Sequence, residues 1–109
     1  MSPTKTDLSA AQQAVSAFLA AHELDAPPAY RLLDLSAEVG EMTADAVKSS
    51  RYGAEPEALS VSEDEYGDAL FSLLAVGSAL DLDAGSALST SMEKYADRIE
   101  ETGSAGSTQ

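Results

Sequence analysis

Apolar residues recur along most of this chain at steps of three and four, the spacing that places side chains on one face of an α-helix. Leu8, Ala11, Val15, Phe18, Leu19 and His22 form the first stripe and predict a helix from about Thr6 to Glu23. His22 falls on or beside that stripe and is expected to be a packed or boundary side chain, since a lone histidine is a poor metal-site signal. The turn Asp25 to Pro28 offers Asp25 as an N-cap, with prolines that a first helical turn tolerates. A second helix is predicted from about Pro28 to Ser50, with Tyr30, Leu33, Ala37, Met42 and Ala46 or Val47 toward the core. Gly40 in its middle costs about 1 kcal/mol relative to Ala, so a close helix contact or ligand approach is expected to compensate.

Residues 51 to 61, with Gly53 and Pro56, read as a loop with room for one helical turn. A third helix starts near Ser60 or Ser62 and continues to about Leu80. From Ala69 to Val76 only Ser72 is polar, so this helix is apolar nearly all round and is predicted to be central or buried at a subunit interface. Asp83 N-caps a fourth helix to about Glu101, carrying Leu88, Met92, Tyr95 and Ile99 on one stripe. Residues 1–5 and 102–109 have little to pack and are expected to be disordered, which leaves one helical domain over 6–101. The predicted fold is all-α, a bundle of four main helices completed by oligomerisation.

Composition agrees with that reading and narrows the partners. At 109 residues there is room for one domain. Leu, Ile, Val and Phe total only 21, but 20 alanines and the clear helical period favour a folded chain despite a net charge of -13. Nineteen acidic residues against six basic ones oppose binding to nucleic-acid backbones or anionic membranes. An anionic nucleotide would need divalent cations to screen the carboxylates. Without cysteine there are no disulfides, thiolate metal sites or thiol nucleophiles. No apolar run of membrane-spanning length and no signal-like start is visible, so a cytoplasmic location is expected. The acidic excess also suggests a proteome adapted to high salt, where screening suppresses self-repulsion.

The chemistry concentrates in two acidic pairs. Glu38 and Glu41 sit three apart in an otherwise small and apolar run, so on a helix their carboxylates share a face. Glu65 and Asp68 repeat the spacing at the head of the most apolar segment, with 23 residues between Glu41 and Glu65. Capping offers another use for Glu65: Ser62 to Glu65 fits a capping box, but so does Ser60 to Glu63, which would leave Glu65 free. Four carboxylates gathered in a helix bundle repel one another unless cations intervene. Mg²⁺, or Mn²⁺, suits such a set because it takes hard oxygen ligands, retains waters and commonly bridges to phosphates. Ferritin-like iron sites need Glu-x-x-His pairs, and His22 has Leu19 three residues before it. Neither a Walker-type phosphate loop nor a Ser-His-Asp set has a candidate pattern.

The sequence E-V-G-E, the spacer, and E-Y-G-D followed by L-F-S-L-L resemble the ExxE and ExxD pairs of the MazG-like all-α nucleoside triphosphate pyrophosphohydrolases, in single-domain form. The resemblance runs from about Leu8 to Ile99. It implies Mg²⁺-dependent hydrolysis of a nucleoside triphosphate to monophosphate and pyrophosphate, with Glu38, Glu41, Glu65 and Asp68 as metal ligands and catalytic carboxylates, one of them orienting the attacking water. It also implies a homodimer or dimer of dimers. The related phosphoribosyl-ATP pyrophosphohydrolases share the fold and the acidic pairs, and a helical module that binds nucleotide, metal or protein without strong catalysis is the reading from another class. The chain departs from the family pattern at Ala37, where a second acid is common, and at Ser91 and Tyr95, where a Lys and an Asn are common. Lys94 and Arg98 on the last helix are the candidates for binding the triphosphate, against simple pairing with Glu93, Asp97 or Glu101.

Overall fold

The computed structural model describes residues 5–103, and these form four α-helices and one short 3₁₀ turn, with no strand among them. The helices are α1 (Lys5–Ala21), α2 (Pro28–Ser49), α3 (Glu63–Ala79) and α4 (Ala84–Thr102), and the 3₁₀ turn spans Pro56–Ala58. The chain is all-α, as the periodicity predicts. Of the ends expected to be disordered, 1–4 and 104–109 lie outside the described residues. Lys5 belongs to α1, Thr102 ends α4, and Gly103 caps it in the left-handed region at φ 78°.

Local chemistry explains most of the boundaries. Ser62 is the N-cap of α3, its hydroxyl accepting the Glu65 N–H at 3.0 Å, so of the two candidate caps the helix starts from Ser62 and not Ser60. Asp83 caps α4 by accepting the Ser86 N–H at 2.7 Å. Asp25 does not cap α2. That helix starts instead from Pro27, whose extended backbone offers its carbonyl to the N–H groups of Tyr30 and Arg31, while Pro28 at the first position has no N–H to satisfy. The α1 and α3 ends close with Leu24 N–H to Leu19 carbonyl and Leu82 N–H to Gly77 carbonyl, both 2.8 Å, around left-handed Glu23 and Asp81.

α3 is central: α2 packs along one side of it and α1 along another, and α1 in turn carries α4. Leu19, Ala69, Leu74, Ala75 and Val76 make the buried core. Gln12, itself buried, fixes α1 to the α3–α4 connection by donating to the Leu82 carbonyl and accepting the Ala84 N–H, each at 2.8 Å. Gly77 is required there, because a Cβ would come within 2.7 Å of the Gln12 amide nitrogen. The buried Arg31 guanidinium donates to the Leu24 carbonyl and holds the α1–α2 turn against α2.

Two expectations about α2 are corrected. Tyr30 and Leu33 point to solvent, 56% and 71% exposed, rather than into the core. The face that α2 turns to α3 is the one carrying Asp34, Glu38 and Asp45 along with Leu35, Met42 and Ala46, all half-buried. Nor does Gly40 answer a close contact within the chain, since nothing lies within 4 Å of where its Cβ would be. The α4 stripe exists, but Met92, Tyr95 and Ile99 are exposed along it.

Candidate metal centre

α2 and α3 run antiparallel, and their facing edges read as a ladder. Along α2, Asp34, Glu38, Glu41 and Asp45 follow at steps of four, three and four; down α3, Ser72, Asp68, Glu65 and Ser62 follow at steps of four, three and three. Both outer rungs are hydrogen bonds. The Ser72 hydroxyl donates to Asp34 Oδ2 at 3.2 Å, and the Ser62 backbone N–H donates to Asp45 Oδ2 at 3.3 Å. Between them the rungs set carboxylate against carboxylate.

One oxygen each of Glu38, Glu41 and Glu65 lie within 4.8 Å of one another, and the same holds for Asp64, Glu65 and Asp68. Glu65 belongs to both triads. Its Oε2 is covered and has no hydrogen-bond partner, although Glu65 as a whole is half-buried at the rim of the helix pair. The capping alternative for this residue is not used, because Asp45, not Glu65, takes the Ser62 amide. Among the described residues no Lys or Arg forms an ion pair with these acids; the Arg51–Glu55 pair at 3.6 Å lies in the loop beyond α2.

The electrostatic consequence falls on Glu38 and Glu65. The Glu38 carboxyl is held above its ordinary 4.5, first by burial and then by the charges of Glu41, Asp68, Asp34 and Asp64. Glu65 is raised likewise, by burial and then by Glu41, Asp45, Asp68 and Asp64. Every charged neighbour that raises either group is an acid.

This donor set fits a hard divalent ion. The candidate donors are all carboxylate oxygens, one of them a covered atom without a hydrogen-bond partner, and two oxygens on one Mg²⁺ stand at most about 4.2 Å apart, so small side-chain rotations would bring a triad onto an ion. The sequence-predicted ligands Glu38, Glu41 and Glu65 thus come together directly, and Asp68 joins through Glu65. Asp64 was not singled out by the paired spacing, though it stands four before Asp68 and so on the same helix face. Lys94 and Arg98 are not brought to the acids by packing within the chain. They flank the Tyr95 ring on α4, with Lys94 Nζ 4.9 Å and Arg98 Cζ 5.8 Å from its centre, and α4 packs on α1. His22 is exposed and rests its ring 4.5 Å from that of Phe18, in no metal-ligating group.

Comparison with known proteins finds no matching family model, no similar curated protein and no similar solved structure. No single described helix is long and apolar enough to cross a membrane.

Proposed function

We propose that the chain is a Mg²⁺-dependent nucleotide pyrophosphohydrolase of the MazG-like kind, converting a nucleoside triphosphate and water to the monophosphate and pyrophosphate. The observation that carries this reading is Glu65, shared by two carboxylate triads, with one covered oxygen that no protein group satisfies. Ionised carboxylates packed against one another in this way are costly unless a cation neutralises them. The resemblance of the E-V-G-E and E-Y-G-D pairs supplies the substrate class, and the acidic ladder supplies the reason an anionic substrate enters only with metal.

Glu38, Glu41, Glu65 and Asp68, with Asp64 beside them, would hold the ion or ions. Bound there, Mg²⁺ would screen the triphosphate and polarise the phosphoryl group under attack. The protein's part is to fix these oxygens before substrate arrives. The outer rungs do this by hydrogen bonds that keep α2 and α3 in register, so that little reorganisation accompanies reaction. A carboxylate oxygen not engaged by metal accepts a proton from the attacking water and orients it.

Incubating the protein with individual nucleoside triphosphates and with phosphoribosyl-ATP, with and without Mg²⁺, and identifying the phosphorus products tests the reading. Monophosphate and pyrophosphate formed only with metal are expected. Turnover of phosphoribosyl-ATP alone would move the assignment to the histidine-biosynthetic relatives. Nucleoside diphosphate and orthophosphate would refute the chemistry, and no turnover at low or high salt would leave a binding module.

A further inference from the structure

Among the described residues this strongly acidic chain buries one charged side chain, and it is a base. Arg31 on α2 is only 8% exposed, yet no carboxylate among the described residues forms an ion pair with it. Its Nη2 donates to the Leu24 carbonyl, and no other group among them takes its remaining N–H donors. A carbonyl just past the end of α1 offers a partial charge, so most of the guanidinium's own charge stays uncompensated. A buried cation without an anion is costly.

The guanidinium is not sealed in. Among the described residues the covered side-chain atom without a partner is Glu65 Oε2, so the unpaired Arg31 nitrogens reach open space. That space is a cavity of about 140 Å³ where the α1–α2 turn meets the last turns of α3. Ser16 and Ser78 line it with Arg31, and neither hydroxyl has a partner among the described residues. Ala26, Ala75 and Ala79 supply walls too short to fill it. A water takes about 30 Å³, so the cavity has room for about four or five heavy atoms.

The donors select the ligand. A guanidinium fork uses both oxygens of a carboxylate, whereas a tetrahedral phosphate keeps oxygens for the two hydroxyls as well. Such an ion matches the size of the cavity, and a nucleoside does not fit inside it. The exposed Asp25 is the one carboxylate in the lining, and it opposes an anion without engaging Arg31. We propose that this cavity binds a free phosphate ion, held by the Arg31 guanidinium and the Ser16 and Ser78 hydroxyls. Arg31 lies seven residues before Glu38, about 10 Å along α2, so the inference is independent of the metal centre and of the reaction proposed above.

Inorganic phosphate titrated into the isotope-labelled protein tests this by NMR, with a chelator removing divalent metal and potassium chloride exchanged to hold a screening ionic strength. The backbone amides of Ala26, Arg31, Ser78 and Ala79 should shift saturably. Acetate should bind at least about tenfold more weakly. Ser16→Leu fills the cavity from an exposed position on α1 and leaves Arg31 in place, and it should weaken phosphate binding at least about tenfold, as should Arg31→Gln. Asp25→Asn removes the opposing charge and should tighten it. Absence of saturable shifts in wild type would overturn the proposal. So would acetate binding as tightly as phosphate, unchanged affinity in Ser16→Leu, or weaker binding in Asp25→Asn; if Arg31→Gln does not fold, Ser16→Leu decides.

Discussion

The Asp45 carboxylate accepts the Ser62 backbone N–H at 3.3 Å, joining the C-terminal half of α2 to the N-cap of α3. With the Asp34–Ser72 bond at the far end, it brackets the acids that face one another across the helix pair. Asp45 therefore has a positioning role without being one of the proposed ligands. Asp45→Asn keeps a carbonyl acceptor and should retain stability and at least about a tenth of the activity, a transition-state effect below about 1.4 kcal/mol. Asp45→Ala removes the acceptor and should cost about 0.5 to 1.5 kcal/mol in denaturant unfolding. Equal stability of the two variants would show that this bond does not hold the register.

Asp68→Asn separates the ligand role from the structural one. Removing one charge from the middle rungs should leave the metal-free fold as stable as wild type or slightly more so. The same change should abolish most of the metal-induced rise in melting temperature and lower turnover by on the order of 10²-fold or more, as when an electrostatic partner of the transition state is lost. Thermal melts with and without Mg²⁺, alongside initial rates, check both halves. Unchanged activity would remove Asp68 from the site.

The raised carboxyls of Glu38 and Glu65 set a pH dependence with a definite sign. Because the folded protein binds these protons more tightly than the unfolded chain, their contribution to stability is fully present below the ordinary value of 4.5 and is lost as pH rises through the raised values. Metal-free wild type should therefore gain on a Glu38→Gln, Glu65→Gln double variant as pH is lowered from neutral toward 4.5. Metal binding requires both groups ionised, so Mg²⁺ affinity should weaken over the same descent. Melting curves of both proteins across this range measure the effect, and a wild-type advantage that shrinks on acidification would contradict it.

Much of the fold was legible because its helices keep the 3.6-residue period and begin at Ser62 and Asp83, whose side chains cap as their type suggests. The orientation of α2 was legible only in part. Met42 and Ala46 turn to α3 as the period predicts, but Tyr30, Leu33 and Ala37, equally plausible as an apolar face, are left outside, and Asp34, Glu38 and Asp45 share the face toward α3. Hydrophobic periodicity assigns the inward face by burial, so it misplaces a helix face where carboxylates share the interface with apolar residues. The pairing of Glu41 with Glu65 was also beyond reach of either helix read alone. It depends on the closure of the intervening loop, where Ser49 Oγ donates to the Ser60 carbonyl at 3.0 Å and accepts the Ser60 N–H at 2.8 Å.

Salt should stabilise the whole molecule. Six basic residues among nineteen acidic ones leave most of the surface charge uncompensated, and screening shortens the reach of that repulsion to about 3 Å at molar salt. The melting temperature of the metal-free protein should rise as potassium chloride goes from low to molar concentration. A flat or falling curve would show that the acidic excess is no adaptation to salt.

Calorimetric titration of Mn²⁺ into wild type and Glu65→Gln at neutral pH addresses the carboxylate triads most directly, because Glu65 is the residue they share. Wild type should bind stoichiometrically, and Glu65→Gln should bind at least about tenfold more weakly, a loss of about 1.4 kcal/mol. Absence of stoichiometric binding by wild type, or equal affinity in the two proteins, would contradict a metal centre on the middle rungs.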